Sequence, residues 1–384
     1  MSARRWLRRV AVAAVVLGGI SVALGSYVHS DLHPGPVPEM EPVAGVGTLS
    51  AQQCRACHPD VYSEWAESRH SQSLSDPLYR AEFNHSRLPF LCERCHAPLK
   101  EQREDLTYGL WLVWPKLVPI TWPNDRFDPL LREEGVTCVA CHQREGSIMG
   151  PRGVDAVHPA KKADMRGPSG CQDCHVLSFD VLGKLERPVM DTVAEWEDYR
   201  ERGGDKVCAD CHMPPTDPRP VAIGGVEQAA TNHRVRGPWD LDFVQTGIII
   251  RRAEIEATGG TATVVIGNET GHRLPTAEPA RYIELRLQAT DAQGTVIATA
   301  SERIERAVDQ AKLVPLGPDS TIEPLGEREV QLSLGADELA GAQSLHLTVD
   351  FYLWDPAADV STEAGLSAEQ LRHRLVDQRA ERGG

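Results

Sequence analysis

The longest apolar run lies near the start of the chain. Val10 to Val28 holds no charged residue and follows Arg4, Arg5, Arg8 and Arg9. A basic start before an apolar stretch is the pattern of an export signal. The run is longer than a usual signal core and near the length of a membrane-crossing helix. It predicts an N-terminal membrane anchor over 1–28, with the arginines left on the inner side. A cleaved leader is the alternative, because Ala23 and Gly25 form a weak small-x-small site. Residues 29–47 are rich in Pro and Gly and read as a linker. From 48 to 243 the apolar positions keep no sustained period. Helices are expected at Pro59–Ser75 and Val189–Arg202, joined by long loops. From about 244 apolar and polar residues alternate in Thr261–Ile266, Tyr282–Ala289, Glu329–Leu334 and Leu345–Phe351, with turn residues between. That alternation predicts an antiparallel β-sandwich over 244–356. Leu371, Leu375 and Val376 predict a short helix over 366–380, within the tail, 357–384.

The 384 residues suit two domains. Aromatic residues make up only 5%, so the interior is expected to be filled in part by something other than side chains. Asp and Glu outnumber Lys and Arg by 55 to 40, a net charge of −15. This argues against a nucleic-acid partner and favours solubility or a basic partner.

The cysteines change the picture. All ten fall into five copies of one pattern: Cys54-Arg-Ala-Cys57-His58, Cys92-Glu-Arg-Cys95-His96, Cys138-Val-Ala-Cys141-His142, Cys171-Gln-Asp-Cys174-His175 and Cys208-Ala-Asp-Cys211-His212. Chance predicts about 0.01 such motifs at this composition. Two thiols three residues apart sit on one side of a single turn and can bond the two vinyl groups of one porphyrin. The next histidine then lies under the iron. Disulfides would not demand a histidine after every pair, and zinc sites would need motifs in pairs. The cofactor is therefore haem c, five times over, covalently attached. The fold class is α + β: a mostly helical and irregular pentahaem cytochrome c domain over 48–243, then the β-sandwich.

Electron-transfer haems usually carry a second strong axial ligand, often His or Met. Five irons need five more ligands. Outside the motifs and the leader region the chain offers His70, His85, His158, His233, His272, His346 and His373. His346 belongs to an alternating strand, and His373 to an Arg-rich tail where it should be solvated. Counting thus selects His70, His85, His158, His233 and His272. Met149, Met165 and Met213 are alternative ligands, although methionine is more often packing. The segment 104–131, with Tyr108, Trp111, Trp114 and Trp122, carries Pro115, Pro119 and Pro123, which rule out a spanning helix. It reads as a flap on a porphyrin face, or else as a contact for a partner or membrane surface.

These residues resemble the multihaem cytochromes c of the cytochrome c-554 and hydroxylamine oxidoreductase-like class. The likeness runs over roughly 50–280. It rests on Cys54–His58 with Tyr62, Trp65 and His70, on Glu134-Gly135-Val136-Thr137 before the third motif, on Cys208–His212 with Met213-Pro214, on Asn232-His233, and on Gly271-His272-Arg273-Leu274-Pro275-Thr276. The resemblance implies closely packed haems and distal roles for His70, His233 and His272; His85 and His158 rest on counting alone. Relatives that reduce nitrite often replace one motif histidine by lysine, and here all five are histidine. No tyrosine matches the cross-linked tyrosine of hydroxylamine oxidation. Both departures weaken an enzymatic reading. The expected function is electron transfer outside the cytoplasm, in the periplasm or on the outer face of the cytoplasmic membrane. Other redox proteins or a membrane electron donor would be its partners. The alternative is an oxidoreductase acting on a small nitrogen or sulfur species at one open haem.

Overall fold

The structure, a computed structural model, describes residues 3–32, 40–86, 89–113, 116–153, 157–177, 190–306, 308–309 and 314–382. The chain divides into two compact units, one of 1–165 with 217–234 and one of 166–216 with 235–384. The first three haem motifs belong to the first unit, and the fourth and fifth to the second. The compositional change near 244 therefore marks where long strands begin, not where the compact units divide.

The first unit holds one long helix, α1 Ala3–Leu32, and a set of short ones: α2 Ala51–Arg55, α3 Pro59–Ala66, α4 Pro77–His85, α5 Pro89–His96, α6 Pro129–Arg132 and α7 Cys138–His142. Their starts are written in the sequence. Pro opens α3, α4 and α6, where its missing N–H costs nothing. Ser50, Asp76 and Asp128 cap α2, α4 and α6 by accepting backbone N–H groups of the first turn. The helix expected over Pro59–Ser75 stops at Ala66 and gives way to turns that carry His70. Leu49, Leu99, Leu131 and Val139 form a small buried cluster. The apolar segment after residue 104 is an antiparallel hairpin of Asp105–Val113 with Lys116–Pro123. Pro119 and Pro123 fit there because a two-stranded ribbon leaves one edge of each strand unpaired. Tyr108 and Trp122 are exposed on it.

The run Val10–Val28 lies on α1, whose side chains after Ser21 fall outside the described residues. Among the described residues no helix is long and apolar enough to cross a membrane, so the expected anchor is not supported.

The second unit holds α8 Pro168–His175, α9 Thr192–Glu201, α10 Cys208–His212, α11 Leu241–Gly247 and α12 Asp359–Ala364. Part of the helix expected from Val189 lies outside the described residues. Two antiparallel sheets complete the unit. One is ordered Ile248–Glu256, Thr261–Asn268, Glu327–Ser333; the other Val296–Glu305, Tyr282–Thr290, Ser344–Tyr352, Arg372–Glu381. Their inward side chains form one buried cluster that includes Val264, Ile266, Ile283, Leu285, Leu287, Ile304, Val330, Leu345, Leu347 and Val349. Period-two alternation places these residues on one face of each strand.

The helix expected within 366–380 is not there. Arg372–Glu381 is a strand paired along Ser344–Tyr352, with a register shift between Val349 and Asp350. Leu371, Leu375 and Val376 have helical spacing. The strand wins because it hydrogen-bonds an otherwise open edge of the sheet.

Candidate haem-ligand site

Each motif sits on a short helix. Four lie within α5, α7, α8 and α10, and the first begins in α2 and runs past its end. One helical turn puts the two cysteines on the same side. None of the ten cysteines is paired in a disulfide.

The histidine rings share one arrangement. In four motifs the Nδ1–H donates to a backbone carbonyl: His58 to Val221 at 2.8 Å, His96 to Ser73 at 2.8 Å, His142 to Met149 at 2.9 Å and His212 to Arg236 at 2.7 Å. Outside the motifs, His233 does so to Thr231 at 2.7 Å and His272 to Arg273 at 2.9 Å. A bond at Nδ1 fixes the tautomer and leaves the Nε2 lone pair for a metal.

Two pairs of these rings face each other within a unit. The centroids of His142 and His233 are 6.1 Å apart with 31° between planes, and those of His212 and His272 are 6.3 Å apart with 27°. Two imidazoles on opposite sides of one metal, each bound at about 2 Å with its centroid about 1.1 Å behind the nitrogen, stand about 6 Å apart. Each pair thus has the spacing of two imidazoles on opposite sides of one iron. Haem supplies a redox-active iron at such a site.

Electrostatics agree with this geometry. Loss of surrounding water pushes the imidazoles of His96, His142 and His212 below their ordinary value, partly opposed by the Nδ1 bonds. The same cause lowers His233 and His272 to about 4, from 6.5. Such rings stay neutral at pH 7, as a ligand must. An imidazole with a lowered pKa in the folded chain is protonated first in the unfolded one. Between about pH 6.5 and about 4 the unfolded chain therefore binds more protons, and stability falls as pH falls. Denaturant midpoints at about pH 7, 5.5 and 4.5 should decline in that order. A midpoint that rises towards acid would contradict neutral, buried imidazoles.

The other expected ligands are placed as follows. His70 is half-buried in the turns after α3, and its carbonyl accepts the N–H of Val136 at 2.9 Å. Gly135 permits that approach: its φ is +60°, and a Cβ there would lie 2.7 Å from the His70 carbonyl oxygen. His85 is exposed at the C-terminal end of α4, and His158 is half-buried in a loop. His346 lies in strand Ser344–Tyr352 with Nε2 2.7 Å from Asp377 Oδ1. His373, expected to be solvated, is half-buried. Its Nε2 lies 2.7 Å from the Pro238 carbonyl, and its ring stacks on Phe351. That strand position, unforeseen from the sequence, is what removes it from solvent.

Sequence reasoning missed Asn268, the last residue of strand Thr261–Asn268. It is buried, with 1% of its surface exposed. Its amide N–H groups reach the carbonyls of His272 at 2.8 Å, Ile322 at 3.0 Å and Glu323 at 3.0 Å. Its Oδ1 accepts from the Thr270 N–H and hydroxyl at 2.9 and 2.7 Å. Asn268 thus shapes the loop that presents His272.

No family model matches the chain, and no curated protein matches it. Among solved structures the chain is similar to a penta-haem cytochrome c552 from Thermochromatium tepidum. The two are 20% identical with a TM-score of 0.61, over 88% of this chain and all of that one. A likeness at this identity shows the fold. The chain shares the fold of that cytochrome.

Proposed function

We propose that this protein is an exported electron-transfer cytochrome with five covalently attached haems c. The observation that carries the reading is the pair of facing imidazoles, His142 with His233 and His212 with His272, each set at the span of one six-coordinate iron. Both members of each pair come from a haem motif and a distant loop, as bis-histidine ligation requires. The ten motif cysteines tether the cofactors by thioether bonds. His58, His96, His142, His175 and His212 ligate from the proximal side. His233 and His272 close the distal side at the third and fifth motifs. His70, His85 and His158 are the ligands proposed for the other three. An iron closed on both sides excludes substrate and changes geometry little with oxidation state, which suits transfer over catalysis. The β-sandwich contributes His272 from the loop between its strands. The basic start and apolar run support delivery outside the cytoplasm, where basic redox proteins or a membrane electron donor would meet the acidic surface.

Purification of the matured protein tests this. Intact mass and haem assay should give five haems per chain, with no thiol left to alkylate. The oxidised visible spectrum should be low-spin throughout. A large high-spin fraction would overturn closure by histidine at every iron, and colourless material with reactive thiols would overturn the haems themselves.

A further inference from the structure

The two units repeat one arrangement that composition and motif spacing do not reveal. In the first, α3 carries Glu64-Trp65; in the second, α9 carries Glu195-Trp196. The Trp65 Nε1–H donates at 2.8 Å to the carbonyl of Val136, two residues before Cys138. The Trp196 Nε1–H donates at 3.0 Å to the carbonyl of Lys206, two residues before Cys208. The first cysteines are also neighbours in the same pairing, Cys54 with Cys138 and Cys171 with Cys208. Both facing histidines stand in a Thr-x-His-Arg segment, Thr231–Arg234 and Thr270–Arg273.

The glutamates complete the correspondence. Each is 8% exposed. Glu64 Oε2 accepts the backbone N–H of His233 at 3.0 Å, while its other oxygen pairs with Arg219 at 2.7 Å. Glu195 Oε2 accepts the backbone N–H of Arg273, next to His272, at 3.1 Å, and also the Thr276 hydroxyl. A carboxylate accepting a backbone N–H in a water-poor site makes a strong, directional bond. In each unit it ties the loop bearing the facing imidazole to the helix whose tryptophan is tied to the haem motif opposite.

We propose that Glu64 and Glu195 are equivalent positioning residues, each aligning a distal histidine, His233 or His272, with the imidazole of the third or fifth motif. The chain therefore holds the same two-motif device twice, and the second motif is an insertion into the first copy. Trp65 and its carbonyl partner are 71 residues apart, and Trp196 and its partner 10. The inference rests on the ligation proposed above and goes beyond it by naming what holds the ligands in place.

The test uses full-length matured protein and four variants, Glu64→Gln, Glu64→Asp, Glu195→Gln and Glu195→Asp, beside His233→Ala and His272→Ala as references. Readouts are the high-spin fraction of the oxidised protein and the CO-binding fraction after reduction. Gln keeps the reach and an accepting oxygen, so it should stay within about twofold of the parent, whereas Asp keeps the charge and falls one methylene short, and loss of a bond to a charged group should raise the CO-binding fraction about tenfold. A purely structural glutamate would lower stability in both without opening an iron. If the histidine references open an iron and the Asp variants match the parent, the positioning role is wrong. If the histidine references themselves open no iron, the ligation reading fails instead.

Discussion

His272→Ala is expected to open one iron of the five while leaving the second unit folded. The His272 ring faces that of His212 at 6.3 Å, and its Nδ1 is already engaged by the Arg273 carbonyl. An alanine methyl cannot reach an iron, so water or an added ligand takes the vacated position. About one fifth of the haem should turn high-spin, and one CO should bind per reduced chain, with a shifted potential at that site. The sheets should persist because their core, centred on Ile283, Leu285, Leu345 and Leu347, contains no part of His272. Visible absorption, CO titration and circular dichroism on one sample check all three statements. A spectrum identical to the parent's would remove His272 from the ligand set.

The second large effect is expected from Asn268→Ala. One buried side chain here satisfies three backbone carbonyls and the Thr270 N–H. Alanine leaves the Thr270 N–H without this acceptor, while the three carbonyls keep the Thr270 hydroxyl, the Leu274 N–H and the Gly326 N–H. A buried polar group left unsatisfied costs about 1–3 kcal/mol, and with one such group left the total should be about 1–3 kcal/mol. Denaturant unfolding followed on the strand signal measures it. The same variant should increase CO binding, since the His272 carbonyl is among the groups released. Asn268→Asp keeps an acceptor for the Thr270 N–H but sets a carboxylate against three carbonyl oxygens, and should recover little of the loss. A cost below about 1 kcal/mol would mean that water replaces the amide and that the loop is held by other contacts.

Legibility followed the range of the interaction. The strand alternation in 261–266, 282–289, 329–334 and 345–351 could be read because a period of two is local, and its facing residues are the buried ones. The hairpin at 105–123 was not read as one, since its prolines count against strands unless the ribbon has only two. The last strand was mistaken for a helix because Leu371, Leu375 and Val376 are spaced for either. Only the open edge beside Ser344–Tyr352 decides between them. Composition changes near 244, where the long strands begin, while the compact units divide at 165/166, 216/217 and 234/235.

What the residues alone determine is the covalent chemistry. Two thiols and an imidazole within five positions lie on one turn whatever surrounds them, so all five attachment motifs stand in the sequence. What only tertiary structure decides is which imidazole faces which. His142 meets His233 and His212 meets His272 across loops whose course depends on buried bonds from Glu64, Glu195 and Asn268. Those bonds join residues from 4 to 169 positions apart. No spacing along the chain encodes them, because an axial partner is selected by direction and distance in space.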